Sequence, residues 1–215
     1  ARLEVADVQE ADGNIWHTVL SNGEIEDSLL VPGTAVTGMI DWKRRFDHMQ
    51  QHSGEHIVSG MICSRFGCDN VGFHMGEEFV TIDYNTRISF EEALEIENQA
   101  NAYIWQDHEL VQMWPSSDEL AALEYRSKKE LEGDVRITSF PGADMCACCG
   151  THVSGSAQVG LVKILSAKNF HEGTRLELLC GRRAYEYLAR SQKAAQETAV
   201  LLSTSEENIP ENVPK

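Results

Sequence analysis

Three histidines, His48, His52 and His56, stand at four-residue intervals in one stretch of the chain. On an α-helix that spacing stacks the imidazoles on one face. Two of them one turn apart can grip a single metal ion. About ninety residues later, Met145-Cys146-Ala147-Cys148-Cys149-Gly150-Thr151-His152 carries Cys148 and His152 at the same four-residue offset. Thiolate plus imidazole is a donor pair that suits zinc. The spacing predicts two pairs in helical register, one from each segment, closing on one Zn2+ ion. Two neighbours could serve such a centre. Glu55 sits beside His56, and His74 lies between Gly72 and Gly76 in a segment that can bring backbone close to a ligand. Both are candidates for orienting a water or holding an amine.

These residues need elements to carry them. A helix is expected from about residue 46 to residue 66, with Gly67 as its stop. The basic run Lys43-Arg44-Arg45 precedes it, and Arg44 and Arg45 are candidate phosphate contacts at the mouth of the site. Residues 1–40 read as short strands: turn signals at Asp12-Gly13 and Asn22-Gly23, alternation through Ile15, His17 and Val19, and a third strand from Val36 to Ile40. Ser89 and Glu92 form a capping box for a second helix. Strands are expected at residues 79–84, 109–114, 134–140, 160–165 and 174–180, and a short helix from Ser117. A small basic group, Arg126, Lys128 and Lys129, follows that helix, and a long helix begins at Gly181. The predicted class is α+β. A small N-terminal β-barrel-like domain, residues 1–40, precedes an α/β domain of mostly antiparallel sheet and helices, residues 41–203, which ends in the long helix. Residues 204–215, with Pro210 and Pro214, are expected to be a linker. Ala1 opens on what reads as mid-strand sequence, so upstream and downstream portions of a longer protein are expected.

Composition narrows the classes. The chain has 215 residues, 42% hydrophobic, and a formal net charge of −16. That is enough apolar material for a large core. Such a field repels nucleic acid at long range, which argues against a protein that wraps a duplex. An enzyme that touches only the end of an RNA through a local basic patch remains compatible. Six cysteines, three of them crowded into 146–149, suit metal binding in a reducing cytoplasm better than a disulfide framework. No apolar run approaches membrane-spanning length.

The two motifs in order resemble the editing domain of alanyl-tRNA synthetase and its free-standing, AlaX-like relatives. The matching residues are His52-Ser53-Gly54-Glu55-His56, then Cys148-Cys149-Gly150-Thr151-His152, then Gly173-Thr174-Arg175-Leu176-Glu177 running into Gly181-Arg182-Arg183. The resemblance covers roughly residues 1–205. It implies that His52, His56, Cys148 and His152 are the zinc ligands and that Thr151 contacts substrate. It also implies that the partner is the acceptor end of tRNA(Ala) and that the reaction is hydrolysis of a mischarged seryl or glycyl ester, without ATP, in the service of translation fidelity. Such a task makes physical sense. A pocket built for alanine rejects glycine or a small added hydroxyl poorly, whereas a second site that hydrogen-bonds serine's hydroxyl can discriminate by ~10⁴ or more. The chain departs from the family in three places: Glu55 stands where threonine is common, His74 aligns with a glutamine, and the Gly-Gly-Gln loop of free-standing members is not found. Because four protein ligands close a tetrahedron, His152 is expected to be the displaced or distant one.

Three other readings compete. His52-x-x-Glu55-His56 also fits the H-x-x-E-H peptidase motif, and with a cysteine it resembles the S-ribosylhomocysteine lyase type of site. A purely structural zinc module that binds RNA or protein is the non-enzymatic alternative.

Overall fold

The computed structural model describes residues 2–20, 31–127 and 133–213. The expected turn at Asn22-Gly23, the cations Lys128 and Lys129, and Pro214 lie outside the described residues. The chain divides into two compact units, Ala1–Ile40 and Asp41–Lys215.

The first unit is built on one antiparallel hairpin, β1 (Glu4–Ala11) and β2 (Asn14–Leu20). Its two-residue turn, Asp12-Gly13, has positive φ at both positions, the twist that a tight hairpin needs. Every strand position is exposed, and His17 with them. Two expectations fail here. Among the described residues no sheet closes, so the barrel-like domain is not borne out. Residues 36–40 form no strand and pair with no other segment among the described residues.

The second unit carries the core. Helix α1 (Trp42–Phe66) is capped by Asp41, whose carboxylate accepts from the Arg44 N–H at 3.1 Å, and it ends at Gly67. It therefore starts four residues earlier than expected, and Lys43, Arg44 and Arg45 belong to its first turn. Next come β3 (Asn70–Met75), β4 (Val80–Tyr84) and α2 (Phe90–Ile104), with the Ser89–Glu92 capping box in place. They are followed by β5 (Val111–Met113), α3 (Ser117–Ala122), β6 (Ile137–Phe140) and β7 (Asp144–Ala147). After a 3-10 turn at Ser156–Val159, the chain closes with β8 (Val162–Phe170), β9 (Gly173–Cys180), α4 (Gly181–Leu201) and α5 (Ile209–Asn212). Two antiparallel sheets result, one ordered β3-β4-β9-β8 and one ordered β5-β6-β7.

The core is filled by Ile57, Val58 and Ile62 of α1, Ile96, Ala100 and Ile104 of α2, and Val80, Ile82, Ile164, Leu176 and Leu178 of the larger sheet. Around its middle, however, α1 is buried with polar side chains as well: Gln50, Gln51, Ser53, Glu55, His56 and Ser59. Buried polar groups persist only when partnered, and these have partners. Gln51 bridges the backbone of Cys180, donating to its carbonyl at 2.9 Å and accepting from its N–H at 2.8 Å. Asp47 takes a two-pronged ion pair from Arg183, which also donates to the Gly76 carbonyl at 2.7 Å. Gly54 lets α1 approach β9, since a methyl group there would overlap the Cys180 sulfur. Together these contacts fix the rotation and height of α1, and so the aim of its histidines.

Candidate metal centre

One ligand atom from each of His52, His56, Cys148 and His152 lies within 4.8 Å of the others. The Cys148 sulfur is 3.5 Å from Nε2 of His52 and 3.5 Å from Nε2 of His152. The His52 and His152 rings stack at 4.1 Å, and His56 meets them edge-on at 4.9 and 4.7 Å. His152 is thus no more distant than the rest. His48, one turn earlier, is not in the group.

Each pair is positioned differently. His52 and His56 share a face of α1, as their spacing predicts. Cys148 and His152 are not on a helix, because residues 148–153 have no regular structure. The operative period is two. Asp144, Cys146 and Cys148 alternate along β7 and its continuation, so all three point toward α1, while Cys149 falls on the other side and is exposed. Arg136 holds the loop in place, donating from Nε to the Cys148 carbonyl at 2.8 Å and from Nη2 to the Gly150 carbonyl. Gly150 packs directly on the His52 ring, where a Cβ would overlap it.

The hydrogen bonds decide which ring nitrogen is available. Nδ1 of His52 faces the Thr151 carbonyl at 3.2 Å, a pure acceptor, so Nδ1 carries the proton and Nε2 keeps a lone pair. Nδ1 of His56 faces the Asp144 carboxylate at 2.8 Å, so it too carries a proton and Nε2 is the nitrogen turned to the cluster. Nδ1 of His152 meets the Ser53 hydroxyl at 3.1 Å, which also accepts the Val153 N–H at 3.1 Å. Arg126 completes the His56 arm, gripping Asp144 at 2.7 and 2.9 Å. Three imidazoles oriented through Nδ1, each presenting Nε2 to a common point, are the arrangement that metal-binding histidines adopt.

The four groups also shift one another's protonation. Burial would raise the Cys148 thiol, but its contacts with the His152, His52 and His56 imidazoles bring it down to about 3, toward the thiolate, the metal-binding form. Burial lowers His152 to about 4. Burial pulls His56 down as well, but its bonds to Asp144 and Cys148 outweigh that and raise it to about 9, so a metal ion bound at its Nε2 would have to displace a proton.

A second group, His56, Asp144 and Cys146, also has metal-capable atoms close together. It is a poor cation site. Asp144 is already bound by Arg126 and by the His56 N–H, and burial pushes the Cys146 thiol up to about 12.

The remaining expected residues spread around the centre. Glu55 is fully buried; its Oε1 accepts from Ser59 and Asn70, both at 2.7 Å, and its Oε2 lies 4.0 Å from Nε2 of His56. His74 is exposed on β3, opposite in alternation to Phe73, and it is Phe73 that stacks on His52 at 5.8 Å. Thr151 contributes its carbonyl, and the residue is otherwise exposed. Arg44 is exposed and Arg45 half-buried, on the same helix as the ligands. Asp144, Arg126, Ser53, Arg136 and Phe73 were not anticipated. Only Asp144 left a trace in the sequence, since it precedes Cys148 by two strand periods.

A His3Cys centre held between one helix and one strand end of an α+β domain defines the class. Residues 135–176 match the family model described as the threonyl and alanyl tRNA synthetase second additional domain. Along most of its length the chain is similar to curated alanyl-tRNA editing proteins. It is 35% identical over 193 residues to Aarsd1-A of Xenopus laevis, covering 87% of this chain and 47% of that protein. It is 30% identical over 188 residues to AlaX-L of Pyrococcus horikoshii, covering 85% and 45%. Alanine–tRNA ligase of Pyrococcus furiosus matches at 28% over 218 residues, 97% of this chain and 23% of the ligase. Over most of its own length the chain is thus similar to AlaX-like alanyl-tRNA editing proteins. It spans less than half the length of these relatives.

Proposed function

We propose that this chain is a zinc-containing hydrolase that deacylates mischarged tRNA(Ala) in trans, acting on the seryl and glycyl esters. The observation that carries this reading is the convergence of three Nδ1-anchored histidines and one thiolate. Zinc bonds of about 2.1 Å to nitrogen and 2.3 Å to sulfur, at the tetrahedral angle, place those atoms about 3.6 Å apart. The Cys148 sulfur lies 3.5 Å from each of two Nε2 atoms, so the donors fit the ion. His52, His56, Cys148 and His152 would hold it. When bound, zinc would supply Lewis-acid polarisation.

The protein's own groups set the rest. His52 and Cys148 are the partly exposed members of the set, so the centre opens on their side, next to exposed Thr151. There Thr151 would contact the aminoacyl group. Glu55 places a carboxylate beside the centre, with Ser59 and Asn70 fixing its orientation, and so it would hold water or the substrate amine by charge. His74 would line the approach on the strand edge. Arg44 and Arg45 would meet the RNA. Among the described residues no helix is long and apolar enough to cross a membrane, in keeping with a partner that is a tRNA acceptor end and with work in the cytoplasm.

A structural zinc module is the second reading, favoured by the fact that four protein donors saturate a tetrahedron. The peptidase reading leaves no role for the Cys148/His152 pair. Deacylation rates on Ser-, Gly- and Ala-charged tRNA(Ala), before and after chelation and with zinc added back, separate these cases. Seryl and glycyl esters should be cleaved well ahead of alanyl, and chelation should abolish cleavage. Cleavage that survives metal removal would take the ion out of the chemistry, and no cleavage by the zinc-loaded protein would leave the structural module.

A further inference from the structure

Trp42 is one of four tryptophans and the only one with a lysine or arginine within three residues; Lys43, Arg44 and Arg45 follow it directly. Its indole is 62% exposed, yet held, stacked on Phe46 at 6.1 Å and 27°. Lys43 and Arg44 are exposed and Arg45 half-buried. Among the described residues none of the three cations makes an ion pair. Their nearest buried acid, Asp47, is already taken by Arg183. On a chain with a net charge of −16 this is a local reversal of sign. Charge of this kind beside an exposed aromatic ring is the combination that binds single-stranded nucleic acid, with bases stacking on the ring and cations tracking the backbone.

The helical register relates this surface to the metal centre. At 3.6 residues per turn, Arg45 projects within about 20° of His52, while Trp42 and Arg44 flank it by about 80° on opposite sides. The axial distance from Trp42 to His52 is about 15 Å. His48 lies between, half-buried. Burial and the positive field of Arg44, Arg183 and Arg45 outweigh Asp47 there and hold His48 below its usual value, which shows how closely these charges are gathered. The surface is rigid because α1 is locked by Gln51 to Cys180 and by Asp47 to Arg183.

We infer that the first turns of α1 form a platform for the unpaired 3′ end of an RNA, on which Trp42 stacks a base and Arg45, flanked by Arg44, holds the phosphate leading to the metal centre. This rests on the deacylase reading and adds to it the part of the RNA that is recognised. The platform acts on binding, so its signature is in KM and salt dependence, and it vanishes for a substrate with no upstream nucleotides.

The test compares a seryl-charged RNA duplex carrying an unpaired 3′ overhang with 3′-seryl-adenosine. Trp42→Ala should raise KM on the RNA about tenfold with kcat unchanged, the fold-change that base–aromatic stacking implies. Trp42→Phe should restore most of it, and neither variant should alter kcat/KM on seryl-adenosine. Arg45→Gln should flatten the slope of log affinity against log salt by about 0.7, the share of one phosphate on a single strand. An unchanged KM for Trp42→Ala on the RNA, or an equal loss on both substrates, overturns the platform. Trp fluorescence gives a readout without turnover: uncharged overhang RNA should quench the wild-type protein and quench Trp42→Phe less. If neither ester is hydrolysed by the wild type but this difference persists, the deacylase reading fails and the platform stands. An equal quench in both proteins overturns the platform whatever the activity.

Discussion

Two clusters share His56 and have opposite fates. On its Nε2 side lie His52, Cys148 and His152; on its Nδ1 side lie Asp144, Cys146 and Arg126. Residue types alone would allow a metal ion in either. What separates them is proton and charge bookkeeping. On the first side every imidazole has a hydrogen-bond partner at Nδ1, behind the cluster, and the thiol is brought down to about 3 by its imidazole partners after burial has worked against it. On the second side a guanidinium already neutralises the carboxylate, and the thiol is driven up to about 12 by burial. A ligand set is therefore defined as much by what stands behind the donors as by the donors themselves.

That contrast can be broken or sharpened by substitution. The largest effect should follow Cys148→Ser, which removes the thiolate. Metal content measured by mass spectrometry should fall from about one ion per chain to near none, a greater loss than the 10–100-fold, roughly, that is typical of groups behind the ligands. Asp144→Asn tests the shared arm. Metal affinity should drop by about 10–100-fold, since the amide can no longer hold His56 and Arg126 by charge. The same variant has a pH signature. Burial pushes the Asp144 carboxyl up, but His56 and Arg126 bring it below its ordinary value. The stability it contributes is therefore full above about pH 4, the unfolded carboxyl value, and is lost as the pH falls through the lower folded value. Acid melts of the wild type should show that loss, and those of Asp144→Asn should lack it.

Ser53→Ala comes next. It leaves the Val153 N–H without its acceptor and His152 Nδ1 without its hydrogen-bond partner, at a cost of about 1–3 kcal/mol in denaturant melts, and His152 should lose its fixed orientation before the other three donors do. Cys146→Ala should have the smallest effect. It trims a buried side chain from the far cluster, so stability should fall modestly while metal content stays the same. If metal content fell with Cys146, the division between the two clusters drawn above would be wrong.

Legibility varied with the range of the interaction. The four donors that the fold brings together, the His52/His56 face, the Ser89–Glu92 box and the long helix after Gly181 are local patterns, readable from spacing and motif. The barrel expected in residues 1–40 failed because alternation signals a strand but not how many neighbours will pair with it. Cys148 and His152 were placed in helical register because an offset of four looks alike in a helix and in a strand end followed by a loop. His74 was expected near the centre because of the glycines on either side of it, whereas the pleat of β3 put Phe73 against His52.

From the sequence by itself came the donor types, their order along the chain and the family they mark, because each is a property of adjacent residues. Only the tertiary structure decided which nitrogen of each ring is available, that Arg126 and Asp144 stand behind His56, and that Arg136 closes the loop on His52. Those are relations between groups up to about a hundred positions apart, between α1 and residues 126–152. Nothing in a local pattern encodes which distant carbonyl or carboxylate will be brought within hydrogen-bonding reach when the core packs.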